Sequence, residues 1–123
     1  MNYIISASSM LALDSIYLST LGSSLFHPMI KNIQGEKMKL NVHGAIIVYI
    51  LLILVFYKFI IVKNESPSQA FILGFCIYGI YDFTNMALFS KYEWLPAIVD
   101  MVWGGVLFYI VTYVTYSLTG KKV

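Results

Sequence analysis

Four apolar stretches, each near the length of one bilayer crossing, leave this chain little choice of fold. They run over residues 3–25, 42–62, 70–90 and 97–118. A helix rises about 1.5 Å per residue and bilayer hydrocarbon is about 30 Å thick, so about 20 mostly apolar residues make one crossing. Backbone N–H and C=O groups have no water to bond there, and only a segment that pairs them internally is tolerated. The expectation is an all-α membrane protein, one integral membrane domain over residues 1–123. It folds as a four-transmembrane-helix up-down bundle with both termini on one side. Composition agrees, since 59% of residues are hydrophobic and 11% charged, where a soluble domain carries about 25% charged.

The first stretch is no signal peptide by its pattern. It lacks a positive leader, Asp14 interrupts it, and no small-residue cleavage site follows. It is also the most polar, with Ser6, Ser8, Ser9, Ser15, Ser19, Ser23 and Ser24, small hydroxylated residues that suit close helix packing. His27, Pro28, Lys31, Lys37 and Lys39 read as a polar connection to the second and greasiest stretch, near whose end Lys58 can snorkel. Ser66 before Pro67 is a capping pair for the third helix. The run KYEWLP, from Lys91 to Pro96, reads as a tight turn with interfacial Tyr92 and Trp94. Lysines outside the spans balance once Lys58 snorkels, with Lys58, Lys63, Lys121 and Lys122 on one side and Lys31, Lys37, Lys39 and Lys91 on the other. The positive-inside rule therefore sets no orientation. All eight cations are lysine, scattered along the chain, so no basic groove for nucleic acid is built. The single cysteine, Cys76, can form no internal disulfide.

Three of the six acidic residues, Asp14, Asp82 and Asp100, fall inside apolar stretches. An aspartate at mid-helix costs about 2.5–3.5 kcal/mol on translocon scales, so each needs shelter, a proton or a partner. Helical steps of three and four align Gly74, Tyr78, Tyr81, Asp82 and Asn85 on the third helix, Asp100, Trp103, Gly104 and Leu107 on the fourth, and Ala7, Met10, Asp14, Tyr17 and Leu21 on the first. These stripes are expected to face one another in one layer. Asp14, Asp82 and Asp100 with Asn85 and Thr84 form the candidate ligand- or ion-binding set, supported by Tyr78, Tyr81, Trp103 and Gly104. His27 and His43 have no second ligand at zinc spacing, and no nucleotide, hydrolase or metalloprotease motif is present. No cofactor and no catalytic residue is implied.

The segments LALDSIYLSTLG, YGIYDFTNMALF and WLPAIVDMVWGGVL resemble the bacterial and viral membrane proteins grouped as domain of unknown function 2177. The resemblance falls on Asp14, on Tyr81, Asp82, Thr84 and Asn85 of a Y-D-x-T-N motif, and on Trp94, Pro96, Asp100, Trp103 and Gly104 of a W-P…D-x-x-W-G motif. Leu95 separates Trp94 from Pro96, which are adjacent in the family pattern, and loops rich in arginine there carry lysine here. The resemblance implies a four-helix membrane protein and the same polar residues, with no activity attached.

Unpaired carboxylates in a span point first to a small transporter or channel for protons, metal cations or organic cations. Four spans are thin for a solute path, which implies a homodimer. A structural or accessory protein of a cell, virion or host membrane is the alternative, as is a lipid-binding or lipid-modifying factor. An enzyme using an aspartate as acid or base is the lesser expectation.

Overall fold

The computed structural model of the chain describes residues 2–37 and 41–120, and these are helical wherever they are regular. The order is α1 (Asn2–Tyr17), a π-helical turn (Leu18–Gly22), α2 (Ser23–Gln34), α3 (Val42–Phe56), a second π-helical turn (Tyr57–Ile61), α4 (Pro67–Leu88) and α5 (Trp94–Thr119). Four continuous helices are long and apolar enough to cross a membrane, over Tyr3–Gln34, Val42–Ile61, Pro67–Leu88 and Trp94–Thr119.

The first helix departs most from expectation. Apolar length predicts an end near Leu25, with His27 and Pro28 in a loop, yet the helix runs through Pro28 to Gln34. A proline inside a helix forfeits a hydrogen bond and costs about 3 kcal/mol. Tertiary packing offsets that cost: Phe26, Met29, Ile30 and Ile33, at i, i+3, i+4 and i+7, pack against Phe83, Met86, Tyr92 and Ala97. His27, Lys31 and Gln34 take the exposed face. Gly35 ends the helix at φ 78°, donating its N–H to the Lys31 carbonyl, a left-handed stop that glycine adopts without a Cβ clash.

The π-turn makes this packing possible. Continued at regular α spacing from Asp14 and Tyr17, the inner face would fall on Leu21, Ser24 and Pro28, and all three are exposed. The buried set is Gly22 and Met29, one residue later, with Leu21 51% exposed. One extra residue in the turn shifts the face. Hydroxyls of Ser19 and Thr20 donate to the Ser15 and Ile16 carbonyls at 2.9 and 2.6 Å and satisfy acceptors there.

The other ends follow local chemistry. Asn41 caps α3 by accepting the Gly44 N–H, and Ser66 caps α4 by accepting the Gln69 N–H, with Pro67 in the first turn. Helix α5 begins at Trp94, so Leu95 and Pro96 are helical and the turn before it is shorter than KYEWLP suggests.

α4 and α5 make the tightest contact. A Cβ built on Gly74 would lie 2.1 Å from the Gly104 carbonyl oxygen, and one on Gly104 would lie 2.6 Å from the Gly74 oxygen and 2.3 Å from the Tyr78 ring. Backbone meets backbone at this crossing, as small residues allow in membranes. α1 packs antiparallel along α5, with Ser6 bonded to Thr115 at 2.9 Å near one end and Met29 reaching Glu93 at the other. Between them Met10, Phe56, Leu107, Phe108 and Val111 form a fully buried apolar layer. Tyr116 ties α5 to the α3–α4 turn by donating to the Glu65 carbonyl at 2.6 Å.

Gly74→Ala and Gly104→Ala should each force α4 and α5 apart and lower stability by about 1–3 kcal/mol or more, the usual cost of overpacking. Gly44→Ala should be nearly neutral, because its new Cβ would meet nothing nearer than Asn41 at 3.9 Å. Thermal unfolding of the three variants in detergent measures the contrast.

Candidate functional site

A carboxylate in hydrocarbon needs hydrogen-bond donors, and Asp14 takes its donors from the three other long helices. It accepts from Trp103 Nε1 of α5 at 2.9 Å, from the Tyr49 hydroxyl of α3, and from the Tyr78 hydroxyl of α4 at a long 3.5 Å. Asp14 is 4% exposed. All its donors are neutral.

The cluster extends through Trp103. Its ring stacks on Tyr17, with centroids 4.8 Å apart and planes within 8°, and the Tyr17 hydroxyl donates to Asp100 Oδ1 at 3.1 Å. Asp100 and Asp82 lie within hydrogen-bonding reach of each other. Asp82, fully buried, accepts from the Tyr92 hydroxyl at 2.7 Å through Oδ1. Its other oxygen, Oδ2, has no donor among the described residues. Tyr92 belongs to the α4–α5 turn, outside the spans. Burial, then its bond to Asp82, hold its hydroxyl well above the usual phenol range, so it remains a donor at neutral pH.

Donor accounting separates the three aspartates. An ionised carboxylate only accepts, and both oxygens of Asp14 have donors. Asp82 and Asp100 face each other as acceptor to acceptor. A proton carried by one of them supplies the missing donor to Oδ2.

Of the residues expected from sequence, Asp14, Asp82, Asp100, Tyr78 and Trp103 come together. Asn85 lies near the hydroxyls of Tyr81 and Tyr92, and no hydrogen bond from it to a carboxylate is seen among the described residues. Tyr81 is 59% exposed on the outer side of α4, one residue and so about 100° from Asp82. Thr84 is exposed as well, because two residues place it about 200° round the helix from Asp82. Gly104 serves the helix crossing and makes room for Tyr78. His27 is exposed and bonded to Ser23, His43 is exposed, and among the described residues no three His, Cys, Asp or Glu side chains converge to hold a metal.

Tyr17, Tyr49 and Tyr92 join the cluster beyond the residues expected to form it. Tyr17 lies three residues beyond Asp14, a signal periodicity already carried. Tyr49 is the lone hydroxyl midway along a helix of otherwise apolar residues, which was readable. Tyr92 is buried only because α2 covers it, and nothing local announces that.

The sequence pattern of a family described as predicted membrane proteins, DUF2177, matches residues 1–117. The chain belongs to that family. The matched range includes every residue of the carboxyl cluster, so the cluster lies in the DUF2177 region itself. No curated protein and no solved structure is detectably similar.

Asp14→Asn should destabilise the fold, since an amide NH2 meets donors where an oxygen accepted them. With interhelical bonds in membranes worth about 0.6 kcal/mol on average, the loss should be about 1–2 kcal/mol. Asp82→Asn and Asp100→Asn should leave stability unchanged or raised, because the new NH2 donates to the remaining carboxylate. Thermal unfolding in detergent at neutral pH compares them, and equal losses in all three would contradict the division of roles.

Proposed function

We propose that this multi-pass membrane protein is a small proton-coupled transporter or proton channel, whose Asp82–Asp100 pair takes up and releases a proton within the bilayer. The single observation that carries this is the buried Asp82 Oδ2, left without a donor beside a second carboxyl. In the same proposal the four helices cross as an up-down bundle with both termini on one side, and two copies associate through their exposed apolar faces.

The polarity of the cluster favours a proton over the other cations. Trp103, Tyr49 and Tyr78 aim hydrogens at Asp14, Tyr17 aims one at Asp100, and Tyr92 aims one at Asp82. A metal or an organic cation needs several converging lone pairs, whereas the groups around the carboxyls present hydrogens to them. A proton needs only one free oxygen, and Asp82 has it. The same accounting favours a second, structural reading for Asp14 alone, whose donors come from three helices.

Proton flux into liposomes containing the purified protein tests the proposal. Wild type should acidify the lumen under an imposed gradient above protein-free vesicles. Asp82→Asn and Asp100→Asn, still folded, should lose about tenfold or more of that rate, as expected when an obligatory proton acceptor is removed. Wild-type flux equal to that of empty vesicles, or undiminished flux in both variants, would rule it out.

A further inference from the structure

We infer that the Asp82–Asp100 pair exchanges its proton with one membrane face only, that of the α4–α5 turn, and that this turn, latched by Tyr92 and Met29, is the gate. The inference rests on the proton-binding role proposed above and adds its direction and control.

The pair lies close to one end of the helices. Asp100 is about 9 Å along α5 from Trp94 and about 28 Å from Thr119, and Asp82 is about 9 Å from Leu88. Towards the far face stands the dry layer of Met10, Phe56, Leu107, Phe108 and Val111, each fully buried, with Phe56 edge-on to Phe108 at 5.2 Å. No polar side chain of that layer can pass a proton. Thr112, buried beside it, turns its hydroxyl back onto the Phe108 carbonyl at 2.7 Å. The next polar pair, Ser6 with Thr115, lies beyond the layer and bonds to itself.

Towards the near face Tyr92 covers Asp82. The Tyr92 ring is buried with Met29 and Ala97 while its hydroxyl holds Asp82. The turn that carries it packs against α2, and its polar bonds to that helix are weak ones. Glu93 N–H donates to the Met29 sulfur at 3.1 Å, a weak acceptor, and Lys91 reaches the Asn32 carbonyl only at 3.4 Å. Opening this turn would part Tyr92 from Met29 and expose Asp82 to water while leaving the glycine crossing of α4 and α5 in place, a local rather than a global opening. The titratable groups around the pair are Asp14 and Tyr17 from α1, Tyr49 from α3 by way of Asp14, Tyr78 from α4 with Tyr81 on its outer flank, and Tyr92 from the turn. None is a cation, so the bound proton has no competing positive charge at the site.

Trp103 provides the readout, because it donates to Asp14 and stacks on the Tyr17 that binds Asp100. The chain has two tryptophans, so Trp94→Phe leaves Trp103 as the sole reporter. In proteoliposomes of one orientation, set by capture through a terminal tag, stopped-flow pH jumps are applied to either face. Emission should follow a jump on the turn face at least about tenfold faster than one on the opposite face. Met29→Leu, which keeps the apolar volume but removes the sulfur acceptor and touches no carboxyl, should speed the near-face response about threefold or more, and Tyr92→Phe should speed it further. Asp82→Asn should abolish it. Equal rates from both faces, or a faster response from the far face, would overturn the gate while leaving the proton site standing. An unchanged near-face rate in both Met29→Leu and Tyr92→Phe would remove the latch. No response from either face in wild type would remove the proton site and the gate with it.

Discussion

The fold depends on holding carboxylates in hydrocarbon without a cation. The chain contains no arginine, and the lysines of the described residues sit at helix ends or in turns. Neutral donors are what remain, and tyrosine and indole N–H groups can supply them only by reaching in from neighbouring helices. Asp14 shows the consequence, since its bonds to Tyr49, Tyr78 and Trp103 fix α1 against α3, α4 and α5 together. The glycine crossing belongs to the same constraint. Tyr78 lies against α5 on its way to Asp14, and a Cβ at Gly104 would collide with its ring. Close backbone approach and carboxylate solvation are therefore one requirement met at two levels.

Within that framework the aspartates differ by what surrounds them rather than by type. Asp14, at the meeting point of the helices, has donors on both oxygens and ties the helices together. Asp82 and Asp100 share a smaller supply, one tyrosine each, and face each other across the gap. A structural role alone would be served by an asparagine at either position, which would donate to its partner and leave nothing unpaired. Two acids stand where one acid and one amide would pair fully, and the proton-binding role proposed for them rests on that difference. Their position near one end, backed by an apolar layer, is what the proposed one-sided exchange rests on.

Hydropathy made the four spans legible, because an apolar stretch of bilayer length has few other uses. Periodicity then found Asp14, Tyr78, Asp82, Asp100 and Trp103, since residues three and four apart share a helical face whatever they pack against. Its failures have definite causes. Steps of three and four also carry Tyr81, which lies three residues beyond Tyr78 but one from Asp82 and so on the flank, and Thr84, two residues from Asp82 in the Y-D-x-T-N motif, lies further round still. Leu21 was placed on the inner face by a spacing that holds only for a regular α-helix. Pro28 was taken as a stop because its local cost is visible in sequence, whereas the packing of Phe26, Met29, Ile30 and Ile33 that offsets it depends on a partner surface built from α4, α5 and their turn.

The π-turn at Leu18–Gly22 links these failures to the site. Upstream of it the helix presents Asp14 and Tyr17 to α5, and downstream it must present Met29 to the α4–α5 turn. A regular helix passing through Tyr17 would aim Pro28 there and leave Met29 on the flank. One inserted residue rotates the second half by about 100°, bringing the sulfur to the Glu93 N–H and the ring of Tyr92 under cover. Gly22 completes the arrangement, since a Cβ there would press on the Tyr17 ring at 3.0 Å and disturb its stack on Trp103. The same five residues thus set both the tyrosine that serves Asp100 and the methionine that holds the turn over Asp82. A change in the winding of this segment would act on both ends of the carboxyl pair at once, and so the polar first helix is the element through which the site and its cover are mechanically joined.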